Sequence, residues 1–215
     1  MIGRHLLSKG FFIYALSLFL ARVAFAQLPL ECGTLANNYG PFDYTNPQHK
    51  LHKLGIVEKA HFTRNIEQLI GGKSSTIEGD LDYTLRAFPN HHRALASFSN
   101  LDRVRKRSNP DYKTGYFTLE CYFLRAIANA PEDPVVYLLY GIFHDRLKQS
   151  DKAESNYLKS IDLDPESAGA HYNLGLLYFR LAKYEESLEH AKVAYDRKYP
   201  LPGLMKKLKK SGHWN

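Results

Sequence analysis

"HYNLGLLYFRLAKYEESLEHAKVAY", residues 171–195, decides the fold, because its features return one unit upstream. Shifting the C-terminal half against itself by 34 positions lays Gly175 on Gly141, Arg180 on Arg146 and Leu181 on Leu147. Ala126, Ser160 and Ala194 then share one small-residue position, and Phe123, Tyr157 and Ala191 share another three places earlier. Pro131 and Pro165 close successive units. Self-similarity at such a period predicts a stack of supersecondary units that bury a continuous core between neighbours.

The apolar residues of "YLLYGIFHDRL" recur at helical spacing. A glycine inside a helix costs about 1 kcal/mol relative to alanine. Its return at the same place in both units therefore needs a packing reason, and close approach of a second helix supplies one. The small residues of the second helix serve that contact from the other side. Asp164-Pro165 ends a helix and turns the chain into the next.

Leu174-Gly175, Tyr178, Tyr184, Ser187 and Ala194 occupy the places of a known pattern, with His171 where an aromatic, usually Trp, opens it. The preceding unit supplies Tyr137, Gly141, Ala153, Tyr157, Ser160 and Pro165, and departs from the pattern at Tyr140 and His144. On these residues the chain resembles the tetratricopeptide repeat (TPR) family over residues 134–199, and less fully over 112–131. The resemblance implies an all-α fold: an α-solenoid of helical hairpins with an N-terminal helical cap and a loop-rich arm. It also implies that the first helix of each unit lines a concave groove that takes a peptide or a partner helix. Carried over by position, the groove residues are Leu138, Leu139, Ile142 and Arg146 in one unit and Tyr172, Asn173, Leu176 and Arg180 in the next. Asn173 falls where peptide-binding members hold a ligand backbone. Arg146 and Arg180, one above the other, would form a pair of cations suited to a carboxylate-bearing ligand or would brace their own helices.

Working outward, the units read as 134–167 and 168–201, preceded by a degenerate repeat at 91–133. Laying Pro89 on Pro165 puts Leu95 on His171, Phe98 on Leu174 and Ser99 on Gly175. The adjacent histidines His91 and His92 then take a turn and the first helical positions. The first helix of this repeat runs to about Arg107, and "KRSNPD" makes an elongated turn. Residues 59–90 read as a helical hairpin cap. Phe62, Ile66, Leu69 and Ile70 share one helical face, Thr63 is the candidate N-cap and Gly71-Gly72 the candidate stop. Residues 27–58 are dense in Gly, Asn and Pro and read as a loop-rich arm whose Tyr39, Phe42 and Tyr44 pack on the hairpin. At the other end, residues 202–215 form a basic capping segment with Leu204 and Leu208 inward and its lysines toward water.

Arg4 and Lys9, the apolar run of residues 10–21 and the small-x-small ending Ala24-Phe25-Ala26 are the parts of a secretory signal peptide, with cleavage after Ala26. An uncleaved anchor is the alternative, but a span needs about 20 apolar residues. This run is shorter and is followed by Arg22. Glu31 before Cys32 argues against lipid attachment. Removing residues 1–26, which hold two Arg, one Lys and no acid, lowers the net charge from +7 to +4 and leaves 189 residues, enough for one continuous core. The expected location is periplasmic or secreted, with no stable membrane span after cleavage. Export removes nucleic acid as a partner, and the mild basic balance suits solubility or attraction to anionic envelope surfaces. In an oxidising compartment Cys32 and Cys121 are expected to pair. Such a bond would contribute about 4–5 kcal/mol by chain entropy.

No G-x-S-x-G, phosphate loop or H-E-x-x-H is present, so the chain is read as non-enzymatic, with no cofactor and no metal. His49, His52, His61, His91 and His92, with Asp80 and Asp82, support a runner-up: a periplasmic metal- or small-ligand-binding protein using the histidine-rich N-terminal half. No histidine pair lies at i, i+4 on a clear helix, and "GDLDY" also reads as a helix start with acids near the positive end of the dipole. The first reading is an exported TPR scaffold or adaptor that holds a protein or peptide partner in its groove during envelope assembly or secretion. A self-assembling structural protein is the third class.

Overall fold

The computed structural model describes residues 28–214, so the signal segment and its cleavage site lie outside the described residues. Among the described residues the chain is helical, with no strand. A 3-10 turn (Leu30–Cys32) leads into α1 (Pro47–His49), which passes through a π-helical stretch (Lys50–Leu54) into α2 (Gly55–His61). Then follow α3 (Arg64–Glu67), α4 (Ile77–Ala87), α5 (His92–Ser108), α6 (Leu119–Asn129), α7 (Pro134–Arg146) and α8 (Ser150–Leu163). The chain closes with α9 (Ala168–Arg180), α10 (Tyr184–Asp196) and α11 (Gly203–Lys210). No helix among the described residues is long and apolar enough to cross a membrane.

Local chemistry sets the boundaries. Asp133 caps α7 by accepting from the Val135 N–H at 3.1 Å, and Pro134, lacking an N–H, takes the first helical place where none is needed. Thr76 and Thr118 cap α4 and α6 through the N–H groups of Gly79 and Cys121. The turns after α7 and α9 repeat each other. Lys148 and Ala182 both adopt left-handed backbone, with φ of 62° and 58°. The next N–H groups, of Gln149 and Lys183, reach back to His144 and Tyr178 carbonyls at 3.0 Å. This closes both helices with the same Schellman geometry.

The two repeat glycines create contact by omission, and the two omissions are filled differently. A Cβ on Gly141 would stand 2.6 Å from the Tyr157 ring of α8. At the next unit the residue in Tyr157's place is Ala191, and the space is taken by Leu204 of α11, whose Cδ2 would lie 2.6 Å from a Gly175 Cβ. Leu204 and Leu208 are fully buried, and each such burial contributes about 1.5–3 kcal/mol. The small residues of the second helices add hydrogen bonds: Ser160 Oγ donates to the Pro134 carbonyl and Ser187 Oγ to the Gly175 carbonyl, both at 2.8 Å.

The N-terminal part differs from its expectation in two places. The arm is helical from Pro47 onward, because the Asn46 side chain accepts from the N–H groups of Gln48 and His49 and Pro47 begins the turn. The hairpin's first limb is therefore α1–α2, which packs on α4. The face read from Phe62, Ile66, Leu69 and Ile70 is broken. Phe62 leaves the helix and sets its ring 4.7 Å from that of His91. α3 is a single turn, Thr63 makes no side-chain cap bond, and Leu69 turns left-handed (φ 60°). Ile70 is left 69% exposed.

The Cys32–Cys121 disulfide ties the arm to α6. Beside it, Arg125 is wholly buried, donates to the carbonyls of Cys32 and Thr34, and stacks 4.7 Å from the Phe117 ring centre. Tyr39, Phe42 and Tyr44 pack around Val57, Ala87 and Phe88.

Candidate interaction surface

The first helices stand in one parallel row. At their starts, His92 Nε2 on α5 lies 2.7 Å from Asp133 at the cap of α7, and a Gly169 Cβ on α9 would lie 3.2 Å from Leu138 of α7. At their ends, Arg180 of α9 pairs with Asp145 of α7. The capping helix α11 continues the row: Gly203 adjoins Tyr172 near the start of α9, and the Lys207 ammonium sits 5.7 Å from the Phe179 ring near its end. Start meets start and end meets end, so α5, α7, α9 and α11 point the same way.

The groove residues carried over by resemblance fall into three groups. Leu138 and Ile142 are half-buried against the Tyr157–Leu177 cluster, Leu139 against the N-terminal core, and Leu176 against the Leu204–Leu208 cluster. They form an apolar strip along the row that is not fully covered. Asn173 spends one amide hydrogen on the Gly169 carbonyl of its own helix at 2.7 Å, leaving one donor. Tyr172 does not belong to an open groove: it is buried, stacked on Tyr199 with ring centres 4.2 Å apart, and covered by the start of α11. A capping helix in the place of a further repeat buries what a longer solenoid would present.

The vertical pair of arginines is likewise corrected. Arg180 is held in a two-pronged bond by Asp145, which raises its pKa above the ordinary value. Arg146 makes no ion pair among the described residues, and its pKa is lowered by desolvation and by the like charge of Arg103 from α5. The excess cation on this face is therefore Arg146 with Arg103. The signal for this lay in the shift of 34, where Asp145 has only Phe179 as its counterpart.

Four of the five histidines are each bonded to a particular partner. His91 caps α5, its Nδ1 accepting from the Ala94 N–H at 3.1 Å, which leaves Nε2–H to donate to Glu58 at 3.1 Å. The ring is fully buried against Tyr44 and Phe62, and burial pushes its pKa down against the pull of Glu58. His92 bonds Asp133, which also receives Asn90 at 2.9 Å. His61 stacks on Tyr83 at 3.8 Å and bonds Asp80. Asp80 also accepts from the N–H groups of Lys73, Ser74 and Ser75. Burial works to raise the Asp80 pKa, but His61 and these three donors outweigh it and hold the carboxyl below its usual range. Asp82 is occupied by Tyr122 and Arg86. His49 accepts from the Asp43 N–H, and His52 is exposed. Among the described residues, no three His, Cys, Asp or Glu side chains converge as a ligand set. What these residues do is fasten the arm and the cap to α4 and α5.

Comparison with known proteins bears on the C-terminal half most directly. Two family models match, one described as TPR repeat over residues 147–181 and one as Tetratricopeptide repeat over residues 168–196. A crystal structure of MamA protein superposes with a TM-score of 0.52 at 13% identity, covering 74% of this chain and 83% of that one, a likeness of fold. Among curated proteins, the Caenorhabditis elegans protein O-mannosyl-transferase F38B6.6 is 32% identical over 63 residues, 29% of this chain and 9% of its own length. The Homo sapiens protein O-mannosyl-transferase TMTC3 is 25% identical over 122 residues, 57% of this chain and 12% of its own. The matched stretch thus spans about a tenth of those relatives.

Proposed function

We propose, from the premise that this chain is a tetratricopeptide-repeat protein, that it serves as an interaction scaffold in the cell envelope, holding a segment of a partner protein against its parallel first helices. The observation that carries this reading is the incompletely covered apolar strip of Leu138, Ile142 and Leu176 beside the unpaired Arg146. A strip of this kind takes the apolar side of a helix or extended segment, while an arginine free of carboxylates favours acidic residues at its edge. Export rests on the N-terminal charge and apolar pattern together with a disulfide, which an oxidising compartment favours.

The test is cross-linking of the tagged chain in its native envelope, comparing Ile142→Glu with Leu176→Glu and, as a control on the outer side, Lys159→Glu. Loss of one cross-linked partner in the first two and retention in the control is the expected result. Equal cross-linking in all three overturns the groove. Terminal sequencing with protease protection of the same cells addresses export: a chain beginning at Gln27 supports it, and one that retains Met1 and is shielded from protease added outside the inner membrane removes it.

A further inference from the structure

We propose that the edge of the solenoid where the first helices end docks on an anionic phospholipid surface, a contact separate from partner holding in the groove. Because α5, α7, α9 and α11 are parallel, their C-terminal ends share this edge. The loops that precede α4 and α6 lie there too: Arg105 of α5 and Tyr112 both reach Glu78 at the start of α4, at 3.5 and 3.3 Å, and a Gly79 Cβ would stand 2.9 Å from Tyr116 Oη.

Charge on this edge is unbalanced. Of its acids, Glu78, Asp102, Asp145 and Glu154 are engaged by Arg105, Lys106, Arg180 and Lys183, while Asp111, Asp151, Glu185 and Glu186, in the loop after α5 and at the starts of α8 and α10, are exposed and in no ion pair among the described residues. Against those four acids stand Lys73, Arg103, Arg107, Lys113, Arg146, Lys148, Lys209 and Lys210, all exposed and none in an ion pair among the described residues, so cations are in excess on this edge. On the opposite edge, the turns before α7 and α9 carry Glu132, Asp164 and Glu166, the last paired with Arg197, and Lys198 follows α10. The excess of cations therefore lies on one edge only, which would orient the molecule on a charged plane.

Two features favour a lipid surface over an acidic peptide or a nucleic acid. The free cations are spread over the ends of α5, α7 and α11; with neighbouring helices about 8–10 Å apart, they cover a breadth of roughly 25–30 Å without converging on a cleft. Apolar side chains are interleaved with them. Ile70, Val104, Tyr116, Leu147 and Leu181 are 69%, 46%, 46%, 47% and 40% exposed, and all belong to this edge or its loops. Cations at the headgroup level with short apolar tips between them match the layered chemistry of a membrane interface.

The experiment is sedimentation of the full chain with vesicles of phosphatidylcholine alone, and with about one third phosphatidylglycerol, at low salt and at about 0.5 M salt. The apolar run at residues 10–21 and its flanking Arg4, Lys9 and Arg22 contribute their own attraction to anionic vesicles, equal in every variant, so the charged edge is read from the losses in the variants. The expected result is at least tenfold tighter binding to anionic vesicles, lost at high salt. It should fall tenfold or more in the doubles Arg103→Glu with Arg107→Glu and Lys209→Glu with Lys210→Glu, the scale set by removing two surface cations. Lys192→Glu with Lys198→Glu, outside this edge, should change it little. Equal binding to both vesicle types, or equal losses in all three doubles, overturns the proposal, as does displacement of the vesicles by a soluble acidic peptide at matched charge. These surface substitutions leave the core intact, which the unchanged helical signal of each double verifies. Failure here would leave the groove reading standing, because the cross-linking test uses other residues.

Discussion

The two halves of the molecule are held together by different chemistry. In residues 134–214 the helices nest by shape: glycines opposite a ring or a leucine, small residues opposite helix backbones, and almost no buried charge beyond His144 and His171. In residues 28–133 no strict repeat guides the packing. The interior holds Asp80, Asp82, Asn90, His91, Arg125 and Asp133, each bonded to a distant segment, and one covalent bond. Where periodic shape matching is missing, specific polar anchors set the register, at the cost of satisfying each of them.

The largest expected effect tests that contrast directly. Cys121→Ser should destabilise the protein by up to about 4–5 kcal/mol, the chain-entropy value for a loop of this length. The loss should begin in the N-terminal half. Hydrogen exchange followed along the chain checks this; equal loss of protection in α9 and α10 would show that the halves are one cooperative unit.

A second, smaller effect separates the two glycines. Gly141→Ala gains about 1 kcal/mol of helix propensity but drives a methyl into the stem of the Tyr157 ring, an overpacking cost of about 1–3 kcal/mol. A net loss is expected. Gly175→Ala meets the flexible end of Leu204 and the Ser187 carbonyl, at 2.6 and 3.2 Å, and should cost less. Denaturant melts of the two variants rank them, and Leu204→Ala should remove most of the Gly175→Ala penalty while leaving Gly141→Ala unchanged. The reverse order would mean that the capping helix packs more rigidly than the repeat it covers.

The smallest effect is on pH. Burial lowers the pKa values of His91, His171 and His190 below the ordinary 6.5. Each folded site prefers the neutral ring, so stability is full above about pH 6.5 and falls as pH drops below it. The halves differ in how they meet the proton. Glu58 faces His91, but His171 and His190 face one another, Nδ1 to Nδ1, at 2.8 Å. With His171 Nε2 turned to the Pro165 carbonyl, one proton can sit between the rings and a second cannot. The melting temperature should therefore be lower at about pH 5.5 than at neutrality, and His190→Asn should flatten that slope more than His92→Asn. An equal slope in both variants would assign the effect elsewhere.

What was legible in the sequence follows the same division. Gly141, Gly175, Tyr157 and the small residues announce the repeats because each partner lies within one period. Leu204 was readable as an inward residue, yet its role as the substitute for a missing ring opposite Gly175 depends on Ala191 being small. The anchors of the other half were not readable. Arg125 finds Cys32 and Thr34 across 93 and 91 residues, and Asn90 joins Tyr44 and Asp133 across 46 and 43. No local pattern encodes such pairings. Two of the groove positions are placed otherwise for related reasons: Asp145 takes Arg180 from one repeat away, and the short capping helix covers Tyr172.

The Cys32–Cys121 bond has a mechanical consequence. It closes a covalent ring around the cap hairpin and α5, and the two regular repeats hang outside it. A partner tugging on the C-terminus would peel off α11 and then one hairpin at a time, since each unit leans only on its neighbours. The unravelling would stall at the ring, with the arm still fastened.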